Sequence, residues 1–278
     1  MARCISMTAD LVLNAAWALV PVVILVAALR PLSNLELSSF VNLYGVPVTE
    51  ETAIAMTRSL RRSKIARRAG LAVGLMLYPV LTGLGLRISD ASILYGVIGY
   101  LLGAFSTALV PGSDRIEIRR ASLVPRRIGD YVPGVVVVML FVSVAVSSLA
   151  FAVYELEPHR VLPSFSGSPY SVAISAIAAV ATLVAIRKLV TRSQPIATTG
   201  LVAVDDALRT QAIHTIAAAG IAVAFIGSSS SLLEMGGYAA LGWLHVAGGV
   251  AGLCSLAGAW LGWRLRLAAW RVTRFVTP

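Results

Sequence analysis

Two adjacent carboxylates, Asp205 and Asp206 in the run Val204-Asp205-Asp206-Ala207-Leu208-Arg209, come closest to reaction chemistry. Paired aspartates supply the hard oxygen ligands that a divalent cation needs. They also precede an apolar run, where carboxylates satisfy the free amides of a helix start and complement its positive end. Helix capping is the role expected of them. Glu155, Glu157 and His159 could coordinate a cation, yet their composition is that of an ordinary solvated turn. His214 and His245 each stand near the start of consecutive apolar runs, so on antiparallel helices they lie at opposite faces of the membrane, cannot share a haem or metal, and are expected to pack or hydrogen-bond. The phosphate-loop, nucleophile-elbow and zinc-protease sequences do not occur. With two cysteines, Cys4 and Cys254, no disulfide framework or zinc cluster can be built. The residues therefore imply no cofactor, no metal and no catalytic group.

Composition explains where such groups would have to sit. Hydrophobic residues fill 58% of 278 positions and charged residues only 13%, about half the ~25% of a soluble domain. Seven apolar stretches, 11–29, 70–86, 91–110, 131–153, 170–186, 212–233 and 239–263, approach the ~20 residues that a helix needs to cross ~30 Å of hydrocarbon. The sixth could end early at Gly227, before Ser228 to Ser231. The expected fold is all-α: one polytopic transmembrane bundle, residues 1–278, of about seven spans.

Orientation follows from the basic residues. Segments 30–69, 111–130, 187–211 and 264–278 hold 7, 5, 4 and 4 Arg and Lys, 20 of the 23, and alternate with segments holding only Arg3, Arg87 and Arg160. Since Arg and Lys are retained on the inner side, these four segments are expected in the cytoplasm, with the N-terminus outside and the C-terminus inside. Tyr154, Tyr170, Tyr238 and Trp243 would then mark the outer interface, and Tyr131, Trp263 and Trp270 the inner one. A cleavable signal peptide is rejected for the first stretch, because cleavage would leave the basic segment 30–69 outside. The net charge of +10 is thus topological, and no recognition-helix or aromatic-basic pattern points to nucleic acid.

Within those segments, Thr49 with Glu50 and Glu51 signals a helix start. Ala53, Met56 and Leu60 then share a narrow apolar face opposite Arg58, Arg61, Arg62 and Arg68. With no breaker before Gly70, a helix over 50–69 lying at the inner surface and running into the stretch 70–86 is expected, its arginines near anionic lipid headgroups or a cytosolic partner. Residues 115–119 alternate like a strand, and Pro125 could open a short helix carrying Arg126 and Arg127. Segment 187–211 reads mostly as loop. In the last stretch His245, Gly248, Gly252, Ser255, Ala259 and Gly262 form one stripe of small residues, and Gly70 with Gly74 and Gly99 with Gly103 offer similar faces. Such stripes let helix backbones approach in lipid, with packing inside the bundle preferred to a dimer seam.

The runs Tyr44-Gly45-Val46-Pro47-Val48-Thr49, Leu60-Arg61-Arg62, Leu123-Val124-Pro125-Arg126-Arg127 with Asp130-Tyr131, and Asp205-Asp206-Ala207-Leu208-Arg209 resemble those of uncharacterised multi-spanning actinobacterial integral membrane proteins. The resemblance covers most of the chain through short motifs and implies no activity. The leading expectation is a membrane subunit of a transport or export assembly, energised by a cytosolic ATPase or another membrane subunit. A lipid-modifying enzyme using Asp130, Asp205 and Asp206, or a non-catalytic scaffold, are the alternatives.

Overall fold

A computed structural model describes residues 19–84, 92–109, 119–120, 127–156, 168–192, 194–195, 199–238 and 242–265. Eight helices account for nearly all of them: α1 (Leu19–Leu29), α2 (Asn34–Tyr44), α3 (Glu50–Gly83), α4 (Ser92–Leu109), α5 (Gly134–Leu156), α6 (Ser168–Thr191), α7 (Thr199–Tyr238) and α8 (Gly242–Leu265). A two-residue antiparallel pair, Arg119–Arg120 with Gln194–Pro195, joins two of the basic segments.

The bundle is organised around α7. Its 30-residue apolar stretch Gly200–Ser229 is 94% buried, against 28% for Gly134–Ala152 and 39% for Val172–Thr191. Buried residues on α7 mix small side chains, Ala217, Ala218, Ala219, Ala222 and Ala224, with larger ones such as Ile213, Ile216, Ile221 and Phe225. Large aliphatic and aromatic side chains point outward on its neighbours, among them Phe141, Leu149, Ile177, Val180, Leu253 and Trp260. A belt of that kind would drive a soluble protein to associate, and it is the surface a bilayer solvates.

Among the described residues, three helices are long and apolar enough to cross a membrane, or four if α1 and α2 are counted as one broken span. This marks a helical membrane protein with three or four candidate spans. Of the other expected stretches, 70–86 falls on the end of α3 as far as Gly83, 91–110 on α4, and 239–263 on α8. The start of the first stretch, 11–18, lies outside the described residues.

Helix ends follow local chemistry. Pro31 and the Ser33 cap separate α1 from α2, which are bent by 72°. Ser33 and Glu36 form a reciprocal capping box, and α2 stops at Gly45, whose φ of 62° suits a residue without Cβ. Thr49 caps α3 as its sequence suggests, its Oγ1 accepting the Thr52 amide at 3.3 Å.

The glycines of α3 and α4 meet as their spacing implies. A Cβ at Gly70 or at Gly99 would overlap the other's carbonyl oxygen, one at Gly74 would overlap that of Tyr95, and one at Gly103 that of Ala66. Only hydrogen in place of a methyl lets these two backbones touch.

Candidate functional site at the basic end of the bundle

The start of α3, the start of α7, and the ends of α1, α4 and α6 come together at one end of the molecule. There α2, the first half of α3 and the first turns of α7 build a small cap with its own core of Phe40, Val46, Met56, Leu60, Val204 and Ala207. The expected helix over 50–69 runs on into the next apolar stretch, as the absence of a breaker before Gly70 implies. It is the first half of α3, continuous with the apolar half, and Met56 and Leu60 face α7 rather than lipid because this protein face is available to bury them. Arg58, Arg61 and Arg62 lie off that apolar stripe and are exposed.

Arg68 is half-buried and donates to the Ala27 carbonyl in the last turn of α1. Arg192 Nη1 lies 3.4 Å from the Ala108 carbonyl at the end of α4, and Arg209 Nη1 lies 2.9 Å from the Arg192 carbonyl just beyond α6. Three arginines therefore satisfy carbonyls at the C-terminal ends of three helices, where backbone acceptors lack partners and the dipole is negative.

Arg67 was not singled out by the sequence pattern, which treats it as one more inner-side charge. It is buried, with its guanidinium reaching Thr215 Oγ1 at 3.2 Å, Tyr100 Oη at 3.4 Å and the Ser63 carbonyl at 3.0 Å. Its carbon also lies 5.9 Å from the centre of the Tyr100 ring. The signal was present: Met56, Leu60, Ser63 and Arg67 continue one helical stripe, which leads on to Gly70 and Gly74.

The acidic residues take structural positions. Asp205 and Asp206 do not precede a helix, because α7 already begins at Thr199 and segment 187–211 is largely helical rather than loop. Asp205 instead pairs with Arg209 at 2.9 Å, a buried i,i+4 ion pair. Asp130 Oδ2 accepts the Arg127 amide at 3.0 Å in a 3-10 turn, Ile128–Asp130. Arg127 precedes that turn, outside any helix, and is exposed; Pro125 and Arg126, where the expected short helix would begin, lie outside the described residues. Only Arg119 of the expected strand 115–119 lies among the described residues, and it pairs with Pro195. Glu157 and His159 lie outside them, and no group of three His, Cys, Asp or Glu converges for a metal among those described.

His214 is buried with Nε2 3.0 Å from the Tyr131 carbonyl. Tyr131 itself is buried, since the chain entering α5 tucks under α7. On α8, Gly252, Ser255 and Ala259 are buried on the α7 side, and the Gly252 carbonyl accepts Ser229 Oγ at 3.0 Å. His245, Gly248 and Gly262 belong to α8, with side-chain surroundings outside the described residues.

Ser228 does not end a helix, because its hydroxyl donates back into the turn at Ala224 and lets α7 run on to Tyr238. Ser147 of α5 shares hydrogen bonds with Ser175 of α6 at 3.0 Å and with Ser228 of α7 at 2.7 Å. These three hydroxyls tie three helices in the apolar interior, and they too escaped the sequence pattern.

Comparison with known proteins adds no assignment: no family model, curated protein or solved structure matches the chain.

Proposed function

We propose that this protein is the membrane subunit of a transport or export assembly of the cell (inner) membrane, energised by a separate partner. We further propose seven spans, with the N-terminus outside and the C-terminus cytoplasmic. The alternation of 20 inner-side basic residues with apolar stretches supports that arrangement, and it puts the basic end of the bundle in the cytoplasm.

One observation carries the subunit reading. The cap has a hydrophobic core of its own and holds Arg58, Arg61 and Arg62 exposed on a rigid helix that runs without a break into the membrane part. A rigid lever of this kind suits transmission of force from a cytosolic ATPase, or docking of another membrane subunit, better than a flexible charged loop would. Anionic headgroups are a second contact for the same basic residues.

Purification in mild detergent from the native host is the test. An ATP-hydrolysing partner should accompany the protein, and charge reversal at Arg58, Arg61 and Arg62 should release it while a cysteine placed at His159 stays accessible from outside. A protein that purifies alone, and after reconstitution binds no cytosolic ATPase, is an autonomous membrane protein instead.

A further inference from the structure

Between α3, α4, α6 and α7 at the basic end lies a cavity of about 330 Å³. Arg58 and Arg62 reach it from α3, Arg192 from the end of α6 and Arg209 from α7, while Asp205 is the carboxylate on its wall. Four guanidinium groups and one carboxylate thus line a small volume, and that carboxylate is paired with Arg209. Beside an apolar bundle such charges are poorly screened, so the local field attracts an anion strongly.

We propose that this cavity binds a phosphate-type oxyanion, a phosphomonoester or a pyrophosphate group. Guanidinium forks match tetrahedral oxyanions through paired N–H donors, and Gln211 adds an amide to the lining. Roles divide by how each arginine is held. Arg192 and Arg209 are tied to the Ala108 and Arg192 carbonyls, which fixes their charge in place. Arg58 and Arg62, one turn apart on α3, are exposed and are the groups that contact the ligand. Asp205 is a positioning residue acting through Arg209. The volume lies at the lower limit of ligand pockets, about 300 Å³, so it accepts the phosphate group and little more. The rest of the ligand extends into the cytosol if it is a solute, or into the bilayer if it is a lipid headgroup.

The site is independent of any partner subunit, and the test uses the full chain alone. In phosphatidylcholine nanodiscs at low ionic strength, inorganic pyrophosphate should raise the melting temperature and give a saturable calorimetric signal that chloride at equal ionic strength does not reproduce. R62Q should weaken that binding about tenfold or more, the loss of one charge-assisted contact. R61Q removes the same charge from a neighbouring position that does not line the cavity, and should change it less than about twofold. R58Q provides a second cavity variant should R62Q melt differently without ligand. Binding of pyrophosphate with this selectivity identifies a soluble phosphate ligand. Stabilisation only by nanodiscs containing phosphatidic acid, again lost in R62Q and kept in R61Q, identifies a lipid phosphate. Failure of both probes, or equal losses in R61Q and R62Q, overturns the proposal in favour of diffuse surface charge.

Discussion

The apolar middle of the bundle and its basic end hold the same central helix by different chemistry. In the middle, α7 is joined to α5 and α6 by short serine hydroxyls and packed through alanine and glycine, with Gly220 so close to Thr182 that a Cβ would overlap it. At the basic end the ties are guanidinium groups reaching across several ångströms to carbonyls and hydroxyls of other helices. The difference follows from solvation. A long charged side chain deep in hydrocarbon is costly, so hydroxyls that also bond their own helix make the links there. Near the helix ends unpaired carbonyls need donors, and an arginine supplies several from one flexible stem.

Close packing should be the least tolerant of change. Gly99→Val drives a branched side chain into the Gly70 backbone, which has no rotamer with which to yield. A loss of about 3 kcal/mol is expected, at the upper end of overpacking costs, with α3 and α4 forced apart. Gly249→Ala meets nothing within 4 Å and should stay within about 0.5 kcal/mol of the native protein. Unfolding in detergent measures both, and equal stability of the two variants would contradict the backbone contact.

The two kinds of polar tie can be set against each other directly. Arg67→Leu removes a buried guanidinium together with its contacts to the Thr215 and Tyr100 hydroxyls, for an expected loss of about 2–3 kcal/mol. Ser228→Ala removes the hydroxyl bonded to Ser147, and contacts of that type in membrane bundles average about 0.6 kcal/mol. Arg67→Lys should recover only part of the loss, since an ammonium cannot reproduce the planar fork. If Ser228→Ala proves the more damaging variant, the interior network outweighs the basic end and the contrast between the regions is reversed.

Legibility from sequence divides along the same line. The apolar stretches, the Thr49 cap and the facing glycines of α3 and α4 were readable, because each is a local pattern in one segment. The ties of Arg68, Arg192 and Arg209 to helix ends were not, because their partners lie 41, 84 and 17 residues away. Charge pattern alone makes every inner-side arginine equivalent. Asp205 misled for a related reason: an acidic pair before an apolar run looks like a helix start, whereas the uncharged residues from Thr199 to Val204 already belong to α7, which packs into the cap through Val204 and Ala207. The run of the 50–69 helix into the next apolar stretch was legible by contrast, since no breaker stands between them.

The smallest expected effect lies at the outer surface of the cap, where Glu36 of α2 meets Lys64 of α3 at 2.9 Å. The Lys64 hydrogen bond holds the Glu36 carboxyl below its ordinary range; partial burial opposes this, and the Ser33 amide and the charges of Lys64 and Arg68 reinforce it. A carboxylate with a depressed pKa in the folded state stabilises the fold above its unfolded value, and that contribution disappears as pH falls through the folded value. Stabilisation is therefore present at neutral pH and is lost on acidification below the normal carboxylate range of about 4. Solvent reaches Glu36, whose side chain is 43% exposed, so screening limits the pair to under about 1 kcal/mol. Glu36→Gln should lower stability by that amount at pH 7 in low salt, with the gap to the native protein narrowing in acid and in high salt. Melting curves of the two proteins across that pH range measure the gap. A gap that widens on acidification would mean that Glu36 matters chiefly as the protonated partner in the Ser33 capping box, and that α2 is tied to α3 by its apolar face alone.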